Sequence, residues 1–232
     1  FTWPTGAGRV FPTSKPSALN GLGEQGSPGT SNRMPVDLYA MRHAESMAQT
    51  GEAEWLDPDL SALGETQARR AASYFQQLRF ELILLSPLRR ARRTYELSRP
   101  LGNVVRFDSR LVECTLDRGP GYDYRELLPY QTPDYAEADA GDMWTAPAGQ
   151  RVASLLTDLR FLESRRVLLI AHNGLLNVLR SHVIGKPITG EPSVHMPGDG
   201  LRTDNAGICR FSIGSGSHED KVIFWNRPTA PP

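Results

Sequence analysis

Short apolar runs alternate with stretches of helical periodicity through most of the chain. The runs have the length of buried strands and are bounded by polar, Gly or Pro residues, which predicts strands at residues 36–41, 81–85, 104–107 and 166–171. The segments between them repeat apolar residues every three or four positions, which predicts helices at residues 63–78, 88–97, 150–163 and 175–184. Ser61 is a suitable N-cap for the first of these helices.

The order of these elements predicts the architecture. Strands that alternate with helices indicate an α/β protein, a three-layer αβα arrangement whose mostly parallel sheet has helices on both faces. Two final strands, at residues 208–213 and 222–225, are separated by a Gly/Ser turn and are expected to form an antiparallel hairpin. Two irregular segments, residues 117–145 and 187–205, are expected to determine binding specificity.

The first 34 residues differ in composition from the rest of the 232-residue chain. They are rich in Gly, Pro, Ser and Thr and show no apolar periodicity, so we expect a flexible arm at residues 1–34. Residues 35–232 are long enough to bury one sizeable core and are expected to form one domain.

Composition limits the classes of partner. The 26 Lys and Arg residues balance the 26 Asp and Glu residues, so the chain lacks the positive excess that favours nucleic acid or an anionic membrane surface. No apolar run is long enough to cross a bilayer, and the two cysteines form no zinc-binding pattern. We therefore expect a cytoplasmic protein that binds neither nucleic acid nor membrane, and a homodimer remains an open alternative.

Positively charged or ionisable side chains follow three of the predicted strands. Arg42 and His43 end the first strand, His172 ends the strand at 166–171, and Arg90 lies in the first turn of the helix after the second strand. An isolated Arg-His pair is usually structural, but the carboxyl ends of parallel strands meet at one edge of a sheet, where ligands bind. Four such groups in one crevice predict a receptor for a dianion such as a phosphate ester.

Five motifs in order resemble one known family, the histidine phosphatase superfamily with its phosphoglycerate-mutase-like fold. The resemblance runs from about residue 35 to about residue 225. The motifs are Arg42-His43-Ala44-Glu45-Ser46, Asp59-Leu60-Ser61-x-x-Gly64-x-x-Gln67-Ala68, Ser86-Pro87-Leu88-x-Arg90-Ala91-x-x-Thr94, Ala171-His172-Asn173-Gly174 and Asp204-Asn205-Ala206.

The resemblance implies a mechanism for phosphate esters. His43 would attack phosphorus and form a phosphohistidine, which divides one difficult displacement into two easier ones. Arg42, Arg90 and His172 would hold the phosphoryl oxygens. Glu113, after the third strand, would donate a proton to the leaving oxygen.

Other positions are further candidates for roles in the site. Asp108 and Asp117 are alternative proton donors in the same acid-rich stretch. Asn173 and Gln49 are expected to contact the substrate, and Gln49 stands where many members of the family have asparagine.

The predicted function is a metal-independent phosphatase that hydrolyses small phosphate monoesters without a cofactor. No His-x-His or His-Glu-x-x-His metal pattern is present in the sequence. Ala44 replaces the family's usual glycine, which would strain the backbone if that position required positive φ. Two alternatives remain: a phosphoglycerate-type mutase, and a non-catalytic module on the same fold that binds a phospho-ligand or a protein.

Overall fold

The computed structural model describes residues 34–53, 57–113, 148–162, 166–186, 203–214 and 218–229. Within these segments lie six strands and five α-helices, with one 3₁₀ turn at Ser109–Leu111. In chain order the elements are β1 (Val36–Arg42), α1 (Met47–Thr50), α2 (Ala62–Phe75), β2 (Arg79–Leu85), α3 (Arg89–Ser98), β3 (Leu101–Phe107), α4 (Ala148–Phe161), β4 (Arg166–Ala171), α5 (Asn173–Ile184), β5 (Ile208–Ile213) and β6 (Lys221–Arg227).

The strands form one sheet in the order β3-β2-β4-β1-β5-β6. Neighbouring strands from β3 to β1 are parallel, and β5 is antiparallel to both β1 and β6. The register of β1 on β4 pairs Arg42 with Ala171, so the residues that follow, His43 and His172, leave the sheet at the same edge. The predicted mostly parallel sheet and its C-terminal antiparallel hairpin are confirmed.

Alternation along the buried strands gives each face of the sheet its own apolar cluster. On one face, alternate residues of β1 and β4 pack with α4 and α5, in a cluster that includes Leu38, Ala40, Val167, Leu169, Leu155, Leu156, Leu175 and Leu179. On the other face, the intervening residues pack with α2 and α3, in a cluster that includes Tyr39, Met41, Leu168, Ile170, Ala68, Ala71, Phe75 and Ala91. The three-layer prediction is therefore confirmed.

The bounds of several elements differ from the sequence prediction. β3 begins at Leu101 rather than residue 104, because pairing with β2 extends it through a Gly-Asn pair that has little strand propensity. Helix α5 begins at Asn173 rather than Leu175, directly after His172. The short helix α1 was not predicted, since four residues carry too little periodicity.

Several sequence expectations fall outside the described residues. The N-terminal arm, the irregular segment 117–145 and most of 187–205 are among them. Of the helices in the described part of the chain, none is both long and apolar enough to span a membrane.

Candidate active site

The ring of His43 is held by hydrogen bonds on both nitrogens. Its Nδ1 donates to the carbonyl oxygen of Ala44 at 2.6 Å, which leaves Nε2 as the unprotonated nitrogen. Arg90 Nε donates to that Nε2 at 3.3 Å. His43 is therefore presented with a lone pair on Nε2, directed at a guanidinium group.

The backbone that follows His43 is fixed by contacts from other elements. The Ala44 N–H donates to Thr94 Oγ1 at 3.0 Å, and the His43 carbonyl accepts from the Ala206 N–H at 3.3 Å. Among the described non-glycine residues, positive φ occurs at Arg99, Ala206 and Asn226. Ala44 is therefore not in the left-handed region, and alanine is unstrained at this position.

Arg42 and Asn173 meet at the turn before β5. Arg42 Nη1 donates to the Thr203 carbonyl at 2.5 Å, and the Thr203 N–H donates to Asn173 Oδ1 at 2.9 Å. All three residues are buried. Both predicted contact residues thus lie at the site, and in this structure each also fixes the turn at 203–207.

His172 is fully buried beside His43, with 5.0 Å between the ring centroids. Its Nε2 lies 2.7 Å from Ser86 Oγ, and that oxygen accepts from the Leu88 N–H at 3.4 Å. A Ser86 hydroxyl that donates to Nε2 places the ring proton of His172 on Nδ1. Within the described residues Nδ1 has no hydrogen-bond partner, so it is available to donate to an anion.

Arg90 lies in the first turn of α3, whose N-terminus has a partner from another part of the chain. Asp57 Oδ1 accepts from the Arg89 N–H at 2.7 Å and lies 3.9 Å from Arg90 Nη1. The Asp57 side chain is only 5% exposed. A carboxylate there stabilises the helix end and opposes the charge of Arg90. Asp57 was not predicted from the sequence, because its contact with Arg89 spans 32 residues.

Glu113 lies at the N-terminus of α5, beside the residues that follow His172. Its two carboxylate oxygens accept from the N–H groups of Gly174 and Leu175, at 3.4 and 3.2 Å. Asp108, the alternative acid, pairs with Arg110 at 2.7 Å and caps the 3₁₀ turn. Glu113 thus lies beside the residues that follow His172, whereas Asp108 is paired with Arg110, and Asp117 lies outside the described residues; the role of Glu113 as the proton donor stays a prediction.

Gln49 takes part in two internal hydrogen bonds. Its Oε1 accepts from the Ser46 N–H at 3.0 Å, as part of a capping box on α1, and its Nε2 donates to Asn205 Oδ1 at 3.2 Å. The side chain therefore ties the loop after His43 to the turn that carries Asn205. Its predicted contact with substrate stays a prediction.

Burial and neighbouring cations keep both histidines neutral. Burial lowers the pKa of His43 well below 6.5, and the charges of Arg90 and Arg42 lower it further. The pKa of His172 is also lowered well below 6.5 by burial, followed by Arg90, His43, Arg42 and Arg151. A neutral His43 has a lone pair for attack, and a neutral His172 retains one N–H donor.

These contacts bring two arginines and two neutral histidines together in a buried cluster, in which the His43 ring has an unprotonated Nε2. The family model of the histidine phosphatase superfamily (branch 1) matches residues 38–226. The chain belongs to this superfamily.

Several of the relatives that this chain resembles are named as phosphatases. A Hydrogenobacter thermophilus protein named as a phosphoserine phosphatase is 30% identical over 207 residues, which cover 82% of this chain and 95% of that protein. The glucosyl-3-phosphoglycerate phosphatase of Mycobacterium tuberculosis is 30% identical over 209 residues, with coverage of 82% and 93%. A solved structure of a mycobacterial glucosyl-3-phosphoglycerate phosphatase with VO3 is 29% identical, with a TM-score of 0.56 and coverage of 82% and 98%.

Proposed function

We propose that this protein is a phosphatase that hydrolyses small phosphate monoesters through a phosphohistidine on His43. The observation that carries the proposal is the state of the His43 ring. Nδ1–H is bound to the Ala44 carbonyl, and the Nε2 lone pair is directed into a group of cationic and N–H donors. Such a group is built to attack an electrophile that carries negative charge.

In the first step the His43 Nε2 lone pair forms a bond to phosphorus while the bond from phosphorus to the ester oxygen breaks. In the structure that lone pair accepts a hydrogen bond from Arg90 Nε–H. As substrate binds, this N–H must leave His43 Nε2 and donate its hydrogen bond to a phosphoryl oxygen instead. Arg42, which is buried beside His43, and the Nδ1–H of His172 supply further donors. The ester oxygen leaves with the bonding pair and takes a proton from the Glu113 carboxyl group, which releases the alcohol.

In the second step water attacks the phosphohistidine. The Glu113 carboxylate accepts a proton from that water, a new oxygen–phosphorus bond forms, and the nitrogen–phosphorus bond breaks with its electron pair returning to His43 Nε2. Inorganic phosphate leaves, and both side chains recover their starting protonation. Histidine supplies the nucleophile, so the proposed cycle uses no metal ion or cofactor.

A phosphoglycerate-type mutase is the second candidate. An Escherichia coli protein named as a phosphoglycerate mutase is 29% identical over 189 residues, which cover 75% of this chain and 84% of that protein. A mutase would return the phosphoryl group to an acceptor hydroxyl in place of water, so the acceptor in the second step separates the two candidates.

The test is phosphate release by the full chain from an aryl phosphate, phosphoserine and phosphoglycerate, with a chelator present. We expect free phosphate from at least one substrate and a loss of more than about a hundredfold in His43→Ala. Radiolabelled substrate should leave acid-labile label on the wild-type protein and none on the variant.

His182→Asn is the matched control. His182 lies near the far end of α5, where its Nδ1 hydrogen-bonds the Val178 carbonyl at 2.9 Å, so its removal should leave activity unchanged. Phosphate retained on a second hydroxyl would favour the mutase. Equal activity of His43→Ala and the wild type would refute both enzyme mechanisms, and tight phosphate binding without turnover would indicate the binding module.

A further inference from the structure

We propose that Arg151 is a positioning residue that holds Glu113 where it can protonate the leaving group. The inference rests on the proposed function, because it concerns the acid of that reaction. Arg151 lies on α4, outside all five sequence motifs, and its side chain is among the largest fully buried ones.

The Arg151 side chain hydrogen-bonds the backbone of the residues directly before Glu113. Its Nη1 donates to the carbonyl oxygen of Arg110 at 3.1 Å and to that of Val112 at 2.5 Å. Arg151 is only 1% exposed. Burial of a guanidinium is costly unless hydrogen bonds compensate, so a buried arginine that binds carbonyls of an irregular segment fixes that segment strongly.

A second arginine holds the same segment to α4 from the opposite direction. Arg110 Nη1 donates to Asp158 Oδ2 at 2.5 Å and to Ser154 Oγ at 3.1 Å, both on α4. The 3₁₀ turn is thus tied to α4 by one arginine on each side. Val112 is the last residue of the segment that these two arginines hold, and Glu113 is the next residue along the chain.

Both the backbone and the side chain of Glu113 are therefore held in place. Arg151 sets its backbone, and the N–H groups at the start of α5 orient its carboxylate. Arg151 is also close enough to the site to contribute to the lowered pKa of His172, after burial, Arg90, His43 and Arg42. Loss of Arg151 would release the Glu113 backbone while leaving the nucleophile and the other phosphate donors in place.

The test compares leaving groups. Departure of an acidic phenol such as p-nitrophenol needs little protonation, whereas departure of an alkyl alcohol such as serine depends on the general acid, which contributes about 10²–10⁴-fold. We expect Arg151→Met to lower kcat/KM for an alkyl phosphate by about a hundredfold and for p-nitrophenyl phosphate by less than about fivefold. A purely structural defect would lower both equally.

Two further variants control for general effects of changing an arginine on α4. Arg160→Met, on the same helix, removes an arginine that pairs with Asp220 at the surface and should change neither value. Arg151→Lys keeps the charge with a shorter reach and should show a smaller loss of the same selectivity. It also serves as the test if Arg151→Met does not fold.

Glu113→Gln separates failure of the inference from failure of the proposed function. A selective loss in Glu113→Gln together with equal losses for both leaving groups in the Arg151 variants would overturn the role of Arg151 alone. No selectivity in Glu113→Gln would instead overturn Glu113 as the acid, and the inference with it.

Discussion

Replacement of Gly64 by alanine should displace the loop that follows His43, although Gly64 lies on another element. A Cβ atom built at Gly64 would lie 1.9 Å from the Glu45 carbonyl oxygen, a backbone atom. The two segments would have to separate by about 1.1 Å to restore 3.0 Å, the closest approach that real Cβ atoms show. Glu45 is two residues after His43, so the shift would reach the nucleophile. We expect about 1–3 kcal/mol of lost stability and about a hundredfold lower kcat.

The assay pairs thermal unfolding with phosphate release. A loss of about 2 kcal/mol should lower the melting temperature by roughly 4–8 °C for a chain of this size. Gly149→Ala is the matched control, because its Cβ would meet a neighbouring side-chain atom at 3.8 Å, an ordinary contact early in α4. Gly149→Ala should be neutral or up to about 1 kcal/mol stabilising. If Gly64→Ala behaves like Gly149→Ala in both assays, the close approach does not position the loop.

Three further outcomes follow from the described contacts. The folded-state pKa values of His43 and His172 are lowered below 6.5, so the unfolded chain binds more protons than the folded chain as pH falls. The urea concentration at the unfolding midpoint should therefore be lower at pH 5.5 than at pH 7.5, and this decrease should be smaller in the His43→Asn/His172→Asn variant. Asp57→Ala should cost about 1 kcal/mol in urea unfolding by removing the acceptor for the Arg89 N–H, whereas Asp57→Asn, which keeps an oxygen, should cost less. Ala206 has φ 59°, so Ala206→Gly should raise the free energy of unfolding by up to about 1 kcal/mol, seen as a higher melting temperature.

The parts of the fold that could be predicted are those encoded by local pattern. Apolar runs in the buried strands and apolar spacing in the helices depend on neighbours in sequence, so the sheet and both helical layers were predicted with small errors at the ends. The position of Arg42, His43, Arg90 and His172 at one sheet edge followed from topology alone, because parallel strands present their carboxyl ends together.

The supporting residues of the site could not be predicted in the same way. Asp57 and Arg151 act through contacts that span 32 and at least 39 residues, and neither belongs to one of the five sequence motifs. Ser86 belonged to a recognised motif, but its bond to His172 joins residues 86 positions apart. An arginine on the apolar side of α4 was the one local indication of such a supporting residue, since a helix rarely buries a charge without a partner.

The charges of the site explain how one receptor can both bind an anion and keep its nucleophile reactive. Burial, together with the charges of Arg90 and Arg42, disfavours a proton on His43, so the lone pair is present before substrate arrives. A phosphate dianion would offset those same charges and remove part of the cause that lowers the pKa of His172. The neutral His172 ring keeps its single N–H as a donor to a phosphoryl oxygen, and the charges of Arg42 and Arg90 are left for the substrate to offset. Negative charge on the substrate is therefore part of how the site is set for reaction, which is the physical reason that it suits monoester dianions.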